Sequence, residues 1–477
     1  MEKLLNEISS ECLAAYDIDC DVPIDCEIPQ NLKRKSELDL PNISEIDLLR
    51  HFTNLSRKNY ALSTTFYPLG SCTMKYNPLI SERIAKLKNF TKIHPLQDEK
   101  TIQGSLEIMF ELEKDLCEIT GMDAFSLQPA AGAQGEFAGL LIISQHFKYI
   151  KQKRKKIIIP DLAHGTNPAS ASLAGFEVIN LPSEKDGNIS IDKLKSLLTS
   201  DVAAIMLTVP NTLGIFEKQI LEISKVVHSN GSLLYYDGAN LNAVMGIVRP
   251  GDMGFDVMHL NLHKTFATPH GGGGPGSGPV GVKSFLEPFL PVPRIKKTSK
   301  NNFTLDYKKP KSIGKLKAFL GNFPVLLKAY VYIKALGSEG LKNASQQAVL
   351  NANYMLARIR EKIEVPAGNR CMHEFVLAPK SVLKNNIRTL DVAKRLLDYG
   401  YYAPTIYFPL IVAEAMMIEP TETESKETLD KFVDTLIKII FEESEKCPQI
   451  VKNAPQNTPV KRLDEVTAAR KPILKWQ

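Results

Sequence analysis

The sequence predicts an α/β protein with a mainly parallel sheet in a large domain and a smaller α+β C-terminal domain. Its 477 residues exceed the length at which one hydrophobic core usually stops growing. Short apolar runs alternate with amphipathic helical segments through the middle of the chain, and the pattern is mostly helical from about residue 323 to residue 361. Such alternation is typical of βαβ units whose sheet is covered on both faces.

Composition excludes several classes of protein. Hydrophobic residues are 44% and charged residues 23%, close to ordinary globular usage, which argues against a disordered or fibrous chain. The net charge of +6, from 59 basic and 53 acidic residues, is too small and too dispersed to indicate nucleic-acid binding. A membrane span would need about 18 consecutive apolar residues, and no such run occurs. The acidic start does not resemble a targeting signal, so we expect a cytoplasmic protein.

The cysteines indicate neither a disulfide scaffold nor a structural zinc site. There are seven, an odd number, and no two form a Cys-x-x-Cys pair. Reduced thiols are therefore expected at these positions: Cys12, Cys20, Cys26, Cys72, Cys117, Cys371 and Cys447.

We expect three parts along the chain. Residues 1–100 are irregular and rich in turn formers, as in an arm that wraps a larger body. Residues 101–330 carry the helix and strand alternation of a large cofactor-binding domain. Residues 331–477 should form a bridging helix and the small C-terminal domain.

The elements follow from hydrophobic periodicity. An apolar stripe predicts a helix from residue 103 to a stop at Gly121. The alternation after it comprises helix 135–149, strand 156–160, a short Ser/Ala-rich helix, strand 176–182, helix 191–198, strand 203–209, helix 218–228 and strand 232–236. The C-terminal part comprises a helix over 323–361 with a break at 337–340, strand 374–377, a helix that includes 392–397, and helix 426–442.

Lys264 is the first candidate for chemistry, because active sites in parallel sheets collect at the C-terminal strand ends. A β-like segment from Asp256 ends in His263-Lys264, and six of the eight residues from Gly271 to Gly278 are glycine. A lysine in this setting can form an imine with an aldehyde cofactor, and glycines allow the backbone to approach an anionic one. A solvated lysine and a flexible linker are the alternatives.

Asp237 is the second candidate, 27 residues before Lys264 and also at the end of an apolar strand. A carboxylate there can pair with a protonated pyridine nitrogen and so make pyridoxal phosphate (PLP) an electron sink. Alternatively, it caps the following turn. The segment Gln128 to Glu136 follows a predicted strand and opens a helix whose free N–H groups could hold a phosphate, although an ordinary helix start would look the same.

Four further residues remain open. His164 follows a predicted strand and could stack on a cofactor ring or move a proton, or it could be structural. Cys72 lies in a turn-rich loop and would be reactive if its pKa were depressed, but it could equally be an inert buried thiol. His259 and His263 are four residues apart, yet the alternation around them favours a strand over a helix with two metal ligands. No metal site is assigned.

With these residues in place, the sequence resembles the glycine decarboxylase P-protein family, in particular the cofactor-bearing subunit of its two-subunit form. The resemblance covers nearly the whole chain. It rests on eight ordered blocks: Pro68-Leu-Gly-Ser-Cys-Thr-Met-Lys75, Gly132-Ala-Gln-Gly-Glu136, Ala163-His-Gly-Thr-Asn-Pro-Ala169, Tyr236-Asp-Gly-Ala-Asn240, Asn261-Leu-His-Lys-Thr265, His270-Gly-Gly-Gly-Gly-Pro275, Ala403-Pro-Thr405 and Glu419-Pro-Thr-Glu422.

The resemblance implies an aspartate-aminotransferase-like, PLP-dependent fold of type I. It also implies site roles. Lys264 would be the Schiff-base lysine, Asp237 the partner of the pyridine nitrogen and His164 the ring-side residue. Ala133 and Gln134 would belong to the phosphate cradle, and His263 would be a further cofactor-binding residue.

The implied activity is decarboxylation of glycine within the glycine cleavage system, with transfer of the aminomethyl group to the lipoyl group of a carrier, the H-protein. Single-chain relatives are about twice as long and this chain matches their second half, so a partner subunit 1 and an α2β2 heterotetramer are expected. Ser277 and Leu410 to Ala415 depart from the single-chain pattern. Two rivals remain: another PLP enzyme, such as an aminotransferase, and a scaffold subunit with a vestigial site.

Overall fold

A seven-stranded sheet forms the centre of the larger part of the molecule. The structure is a computed structural model, and it describes residues 3–9, 28–36, 38, 40–184, 186–271 and 276–474. The strand order of this sheet is β1-β7-β6-β5-β4-β2-β3. Neighbours from β3 through β2, β4 and β5 to β6 are parallel, whereas β7 is antiparallel to both β6 and β1. The strands are β1 Ala124–Ser126, β2 Lys156–Pro160, β3 Glu177–Leu181, β4 Val202–Thr208, β5 Leu233–Gly238, β6 Val257–Leu260 and β7 Val280–Val282.

Two smaller sheets follow. A hairpin pairs β8, Arg294–Lys297, with β9, Phe303–Asp306. An antiparallel sheet of order β10-β12-β11 consists of β10 Phe375–Leu377, β11 Thr405–Ile406 and β12 Met416–Ile418.

The α-helices are α1 Glu45–Arg57, α2 Leu79–Ala85, α3 Lys88–Thr91, α4 Gln103–Thr120, α5 Gly132–Tyr149, α6 Thr166–Leu173, α7 Ile191–Leu197, α8 Ile220–Ser229, α9 Phe323–Ile359, α10 Thr389–Asp398, α11 Lys426–Ile437, α12 Ser444–Lys446, α13 Pro448–Lys452 and α14 Glu465–Arg470. Helix α4 ends at Gly121 in a left-handed conformation. Helix α9 is kinked at Gly337, where the backbone is not helical. None of the helices in the described part of the chain combines the length and apolarity that a membrane span requires.

The large sheet separates two apolar cores, because successive strand side chains point to opposite faces. On β5, Leu234 and Tyr236 face one core, and Leu233 and Tyr235 face the other. Both tyrosines are fully buried. A third core lies between the β10-β12-β11 sheet, the C-terminal half of α9, and helices α10 and α11. Each fully buried aliphatic or aromatic side chain contributes about 1.5–3 kcal/mol.

The chain divides into two compact units, residues 65–454 and residues 1–64 with 455–477. In the smaller unit, helix α1 is capped by Ser44, whose hydroxyl accepts the Asp47 N–H, and α14 is capped in the same way by Asp464. The domain boundaries expected at residues 100 and 330 stay predictions.

The α/β class with a mainly parallel sheet is confirmed, and so is the alternation from α4 to β5. The strand before Lys264 was predicted too long. It ends at Leu260, and Lys264 lies in the turn that follows. The helix predicted over 426–442 is not one regular α-helix. Helix α11 ends at Ile437, and the chain continues as a π-helix over Lys438–Glu443.

Part of the glycine-rich loop, 272–275, lies outside the described residues, as do Cys12, Cys20 and Cys26. The described cysteines are free thiols, as expected.

A buried ion pair connects the loop before α2 to the segment after β12. The Lys75 ammonium lies 2.7 Å from Glu422 and also donates to Asn242 and to the Tyr332 hydroxyl at 3.0 and 3.1 Å. Only 1% of the Lys75 side chain is exposed. Burial by itself would lower the pKa of Lys75, but Glu422 raises it above its ordinary value. Lys75 is therefore charged, and its stability contribution depends on its partner.

We expect Lys75→Met to lower the free energy of unfolding by about 3 kcal/mol or more, because it leaves a buried carboxylate without its cation. Denaturant titration measures this change. Lys431→Met is the matched control, since Lys431 lies at the same 2.7 Å from Glu427 but both side chains are more than half exposed. That control should cost less than about 1 kcal/mol. Equal losses in the two variants would contradict the assignment.

Candidate active site

A cavity of about 140 Å³ lies at the C-terminal ends of the parallel strands of the large sheet. Lys264, Asp237, His164 and Ala133, all predicted from the sequence, line it together. The other lining residues are Ser71, Gly132, Glu136, Thr166, Thr208, Pro210, Thr212, Ala239, Asn240, His259, Asn261, His373 and Glu374. A larger groove of about 450 Å³ beside Glu113 and Arg294 contains none of the predicted site residues.

Lys264 is positioned by the turn after β6. Its N–H donates to the Asn261 carbonyl oxygen at 3.1 Å, and its own carbonyl accepts the Ala267 N–H at 3.3 Å. Burial raises the pKa of both Asp237 and Glu374, and the charge of Lys264 opposes that rise at each group. The lysine therefore faces the titratable groups of the cavity.

Asp237 lies near the C-terminal end of β5 and is 4% exposed. One carboxylate oxygen accepts from the Asn167 amide at 3.0 Å, and the other accepts the Ala239 N–H at 3.0 Å and lies 3.4 Å from the His259 ring. Burial alone would raise the pKa of Asp237, but His259 and Asn167, aided by Ala239 and Lys264, bring it below its ordinary value. Asp237 is thus a buried anion that faces the cavity.

The N-terminus of α5 supplies backbone donors. Its N-cap residue, Ala131, is extended and provides no side-chain hydrogen bond, so the first N–H groups are not capped. Gly132 and Ala133 line the cavity at this point. The Gln134 side chain does not line it. It closes the preceding turn instead, because its oxygen accepts the Ala130 N–H at 2.6 Å and its nitrogen donates to Leu316.

His164 is connected to a buried acid through Thr166. The His164 Nδ1 lies 2.9 Å from the Thr166 hydroxyl, which lies 3.0 Å from Glu136. Burial lowers the pKa of His164, and Lys264 lowers it further, so the ring is neutral at pH 7. Burial and the charge of Asp237 raise the pKa of Glu136 to about 7. Glu136 belongs to one of the sequence blocks, but nothing in its local pattern indicated this connection.

Cys72 and His263 lie next to the cavity and do not line it. The Cys72 carbonyl accepts from His270 at 2.9 Å. Burial raises the pKa of the Cys72 thiol despite Lys264, so the depressed pKa that would make it reactive is not found. His263 packs edge-on against His270, and burial lowers its pKa to about 3. His259 lies in strand β6, as the alternation predicted.

Sequence reasoning missed the acidic side of the cavity. Glu374, just before β10, accepts the Ser71 N–H at 2.7 Å. Glu419, just after β12, accepts from the Thr73 N–H and hydroxyl at 2.9 and 2.6 Å and from Asn240 at 3.0 Å. Ser71 and Thr73 have positive φ angles of 63° and 51°, a strained backbone conformation that these contacts hold.

Unpartnered polar atoms indicate that a polar ligand completes the site. Within the described part of the chain, buried atoms that lack a hydrogen-bond partner include Glu136 Oε1, Asn261 Oδ1 and both ring nitrogens of His373. These three residues line the cavity. A ligand with a phosphate, a ring nitrogen and an aldehyde matches the donor set of helix N-terminus, carboxylate and lysine. The residues present therefore fit PLP.

Comparisons with known proteins decide the family. The family model described as the glycine cleavage system P-protein matches residues 11–301. The chain belongs to the glycine cleavage system P-protein family. A second family model, the C-terminal domain of glycine dehydrogenase, matches residues 344–461. The P-protein relative named "Probable glycine dehydrogenase (decarboxylating) subunit 2" from Endomicrobium trichonymphae is 75% identical over 477 residues, which is 100% of both chains. The resemblance to the P-protein family is confirmed.

Solved structures confirm the fold. A crystal structure of the glycine decarboxylase P-protein in inhibitor-bound form has a TM-score of 0.72 at 20% identity, over 86% of this chain and 93% of that one. An alanine–glyoxylate aminotransferase from Nostoc sp. has a TM-score of 0.57 at 14% identity, over 80% and 96%. The aspartate-aminotransferase-like fold of type I expected for a P-protein is therefore present.

Gly214 fixes the backbone that carries Glu374. Its φ is 77°, and a Cβ built there would lie 1.9 Å from the Glu374 carbonyl oxygen. Its own carbonyl accepts the Met372 N–H at 2.8 Å. The loop after β4 can thus pack against the segment before β10 only with glycine at this position.

Gly214→Ala should lower the free energy of unfolding by more than about 2 kcal/mol, because the positive φ and the blocked Cβ both oppose alanine. Gly175→Ala is the control: its φ is 86°, but nothing lies within 4 Å of the built Cβ. That variant should lose only about 1 kcal/mol. Thermal and denaturant unfolding of the two proteins would measure the difference, and similar losses would count against this steric argument.

Proposed function

We propose that the chain is the PLP-bearing subunit of a glycine decarboxylase, with Lys264 as the residue that holds the cofactor. One observation carries the proposal. A lysine, a buried carboxylate and an uncapped helix N-terminus converge on one cavity in a chain of the P-protein family. Each group alone has an ordinary structural explanation, but the three together match a pyridine cofactor.

The residues that would hold PLP follow from their chemistry. The Lys264 amine would bind the aldehyde as a Schiff base, and Asp237 would keep the ring nitrogen protonated. The first N–H groups of α5, at Gly132 and Ala133, would donate hydrogen bonds to the phosphate, aided by the helix dipole. Once bound, PLP supplies a cationic ring that stabilises the electron pair left on the substrate α-carbon when CO2 departs.

The lining of the cavity favours loss of a carboxylate. Among its described lining residues there is no arginine, so no guanidinium neutralises the carboxylate of an amino acid by a bidentate contact. The buried Asp237 adds negative charge instead. A carboxylate in such surroundings is destabilised relative to neutral CO2.

The remaining participants are also proposed. The name "subunit 2" of the relative supports a partner subunit 1, and we infer an α2β2 assembly. The acceptor is the disulfide of a lipoyl group on a carrier protein, the H-protein of the glycine cleavage system. Turnover that requires this lipoyl carrier would separate the proposal from an aminotransferase, which needs a keto acid instead.

Borohydride reduction of the assembled enzyme should leave a phosphopyridoxyl group on Lys264. Glycine added before the borohydride should prevent this adduct, because the substrate amine displaces the lysine. Peptide mapping by mass spectrometry would locate the group. Lys264→Ala should lose the visible absorbance band and the adduct while the fold is retained. Lys283→Ala is the control, because the Lys283 amine donates to the Gly121 carbonyl away from the cavity. This variant should keep both the absorbance band and the adduct. No adduct after PLP is supplied would favour a vestigial site.

Asp237→Asn should lower kcat by roughly 100-fold or more, because an amide cannot keep the ring nitrogen protonated. PLP should still bind through Lys264, so the absorbance band would remain but shift. Asp252→Asn is the control, since Asp252 pairs with Arg249 outside the cavity. Steady-state CO2 release from labelled glycine measures the effect, and an Asp237→Asn enzyme of full activity would refute the role.

A further inference from the structure

Two buried glutamates face each other at the edge of the cavity. Strands β10 and β12 are antiparallel with Phe375 opposite Ile418, which sets Glu374 and Glu419 opposite one another at one end of the pair. Their side chains are 5% and 0% exposed. An oxygen of each and a ring nitrogen of His373 lie within 4.8 Å of one another. Two carboxylates so close in a buried site do not both ionise readily.

Hydrogen bonds assign the shared proton to Glu374. Glu419 accepts three hydrogen bonds, from Thr73 and Asn240, whereas Glu374 accepts one at Oε2, from the Ser71 N–H. Its other oxygen, Oε1, lies 3.9 Å from the His373 ring. Burial and the neighbouring Glu419 raise the pKa of Glu374 to about 8. Glu374 is therefore a carboxylic acid at pH 7, and it lines the cavity.

The proposed reaction consumes one proton, so a group in the site must act as an acid and donate it. The bond between the glycine α-carbon and its carboxylate breaks, CO2 leaves, and the electron pair forms a carbon–sulfur bond to one sulfur of the lipoyl disulfide. The sulfur–sulfur bond breaks and its electron pair stays on the other sulfur, so the disulfide is reduced. That sulfur becomes a thiol by taking a proton.

We propose that Glu374 delivers the proton to the sulfur released from the disulfide acceptor. The inference rests on the proposed function and deepens it. Glu374 has the geometry of an acid at the cavity wall: the Ser71 N–H holds its side chain, and the close approach of Gly214 fixes its backbone. Neither Cys72 nor the neutral His164 is placed to act as this acid. Cys72 does not line the cavity, and the His164 ring bonds to the Thr166 hydroxyl. After each turnover Glu374 regains its proton from solvent.

Infrared spectroscopy of the assembled enzyme tests the proton directly, without turnover. The stretching band of a protonated carboxyl group should disappear as pH rises through about 8, and it should be absent from Glu374→Gln. Glu113→Gln is the control, because burial also raises the pKa of Glu113, to about 7, but it pairs with Arg294 outside the cavity. A spectrum unchanged by Glu374→Gln would overturn the proposal. The groups that act on Glu374 in this titration are Glu419, Ser71 N–H, Lys264, His373, Cys72 and Cys371.

Kinetics with the lipoyl carrier supplies the second readout. The acid form is the active one, so wild-type kcat should fall as pH rises through about 8. Glu374→Gln should lower kcat by roughly 100-fold with an unchanged KM for glycine, and that alkaline limb should vanish. Glu419→Gln removes the neighbouring charge and should move the limb to lower pH. An alkaline limb that persists in Glu374→Gln would overturn the assignment.

Separate outcomes test the acid role of Glu374 and glycine decarboxylation itself. Wild-type enzyme that releases no CO2 from glycine would refute the function, while the infrared band would still report whether Glu374 holds a proton. Active wild-type enzyme with a stoichiometric divalent cation that is lost in Glu374→Gln would overturn the acid role alone.

Discussion

The distribution of buried charge is the constraint on which the rest of the site depends. Five carboxyl groups lie buried or nearly buried in this region: Glu136, Asp237 and Glu374 line the cavity, and Glu419 and Glu422 bind the adjacent loop of residues 71–75. In the described part of the chain, Lys75 and Lys264 are the lysines that act on them. Uncompensated negative charge in such surroundings is costly. Protonation, hydrogen bonds and the Lys75–Glu422 ion pair therefore compensate the carboxyl groups.

The fold meets this constraint by bringing distant segments together. The large sheet contributes Asp237 and the turn of Lys264, the small sheet contributes the two facing glutamates, and the loop of residues 71–75 lies between them. That loop donates two backbone N–H groups to Glu374 and Glu419, and its Lys75 neutralises Glu422. The strained backbone at Ser71 and Thr73 is the conformational cost of directing those N–H groups at carboxylates.

The sequence was sufficient for what is local and insufficient for what depends on register. Lys264, Asp237 and His164 could be predicted because each follows a recognisable apolar strand of a parallel sheet, and such strand ends meet. Glu374 and Glu419 could not be paired in this way. Strand β10 has three residues, and its antiparallel register with β12 is a long-range contact without a local signal. The end of β6 at Leu260 was misplaced because the apolar alternation continues through Leu262, a buried residue of the turn.

The same excess of carboxyl groups relates the proposed decarboxylation to the proposed proton transfer. A transaminase must retain its substrate carboxylate, so it gains from a guanidinium that binds it. A decarboxylase gains from the opposite, since surroundings that do not neutralise the carboxylate favour its departure as neutral CO2. Crowding acidic groups into that cavity also forces one of them to hold a proton at neutral pH. The charge that disfavours the substrate carboxylate thereby makes Glu374 an acid, at the wall where a released sulfur would need one.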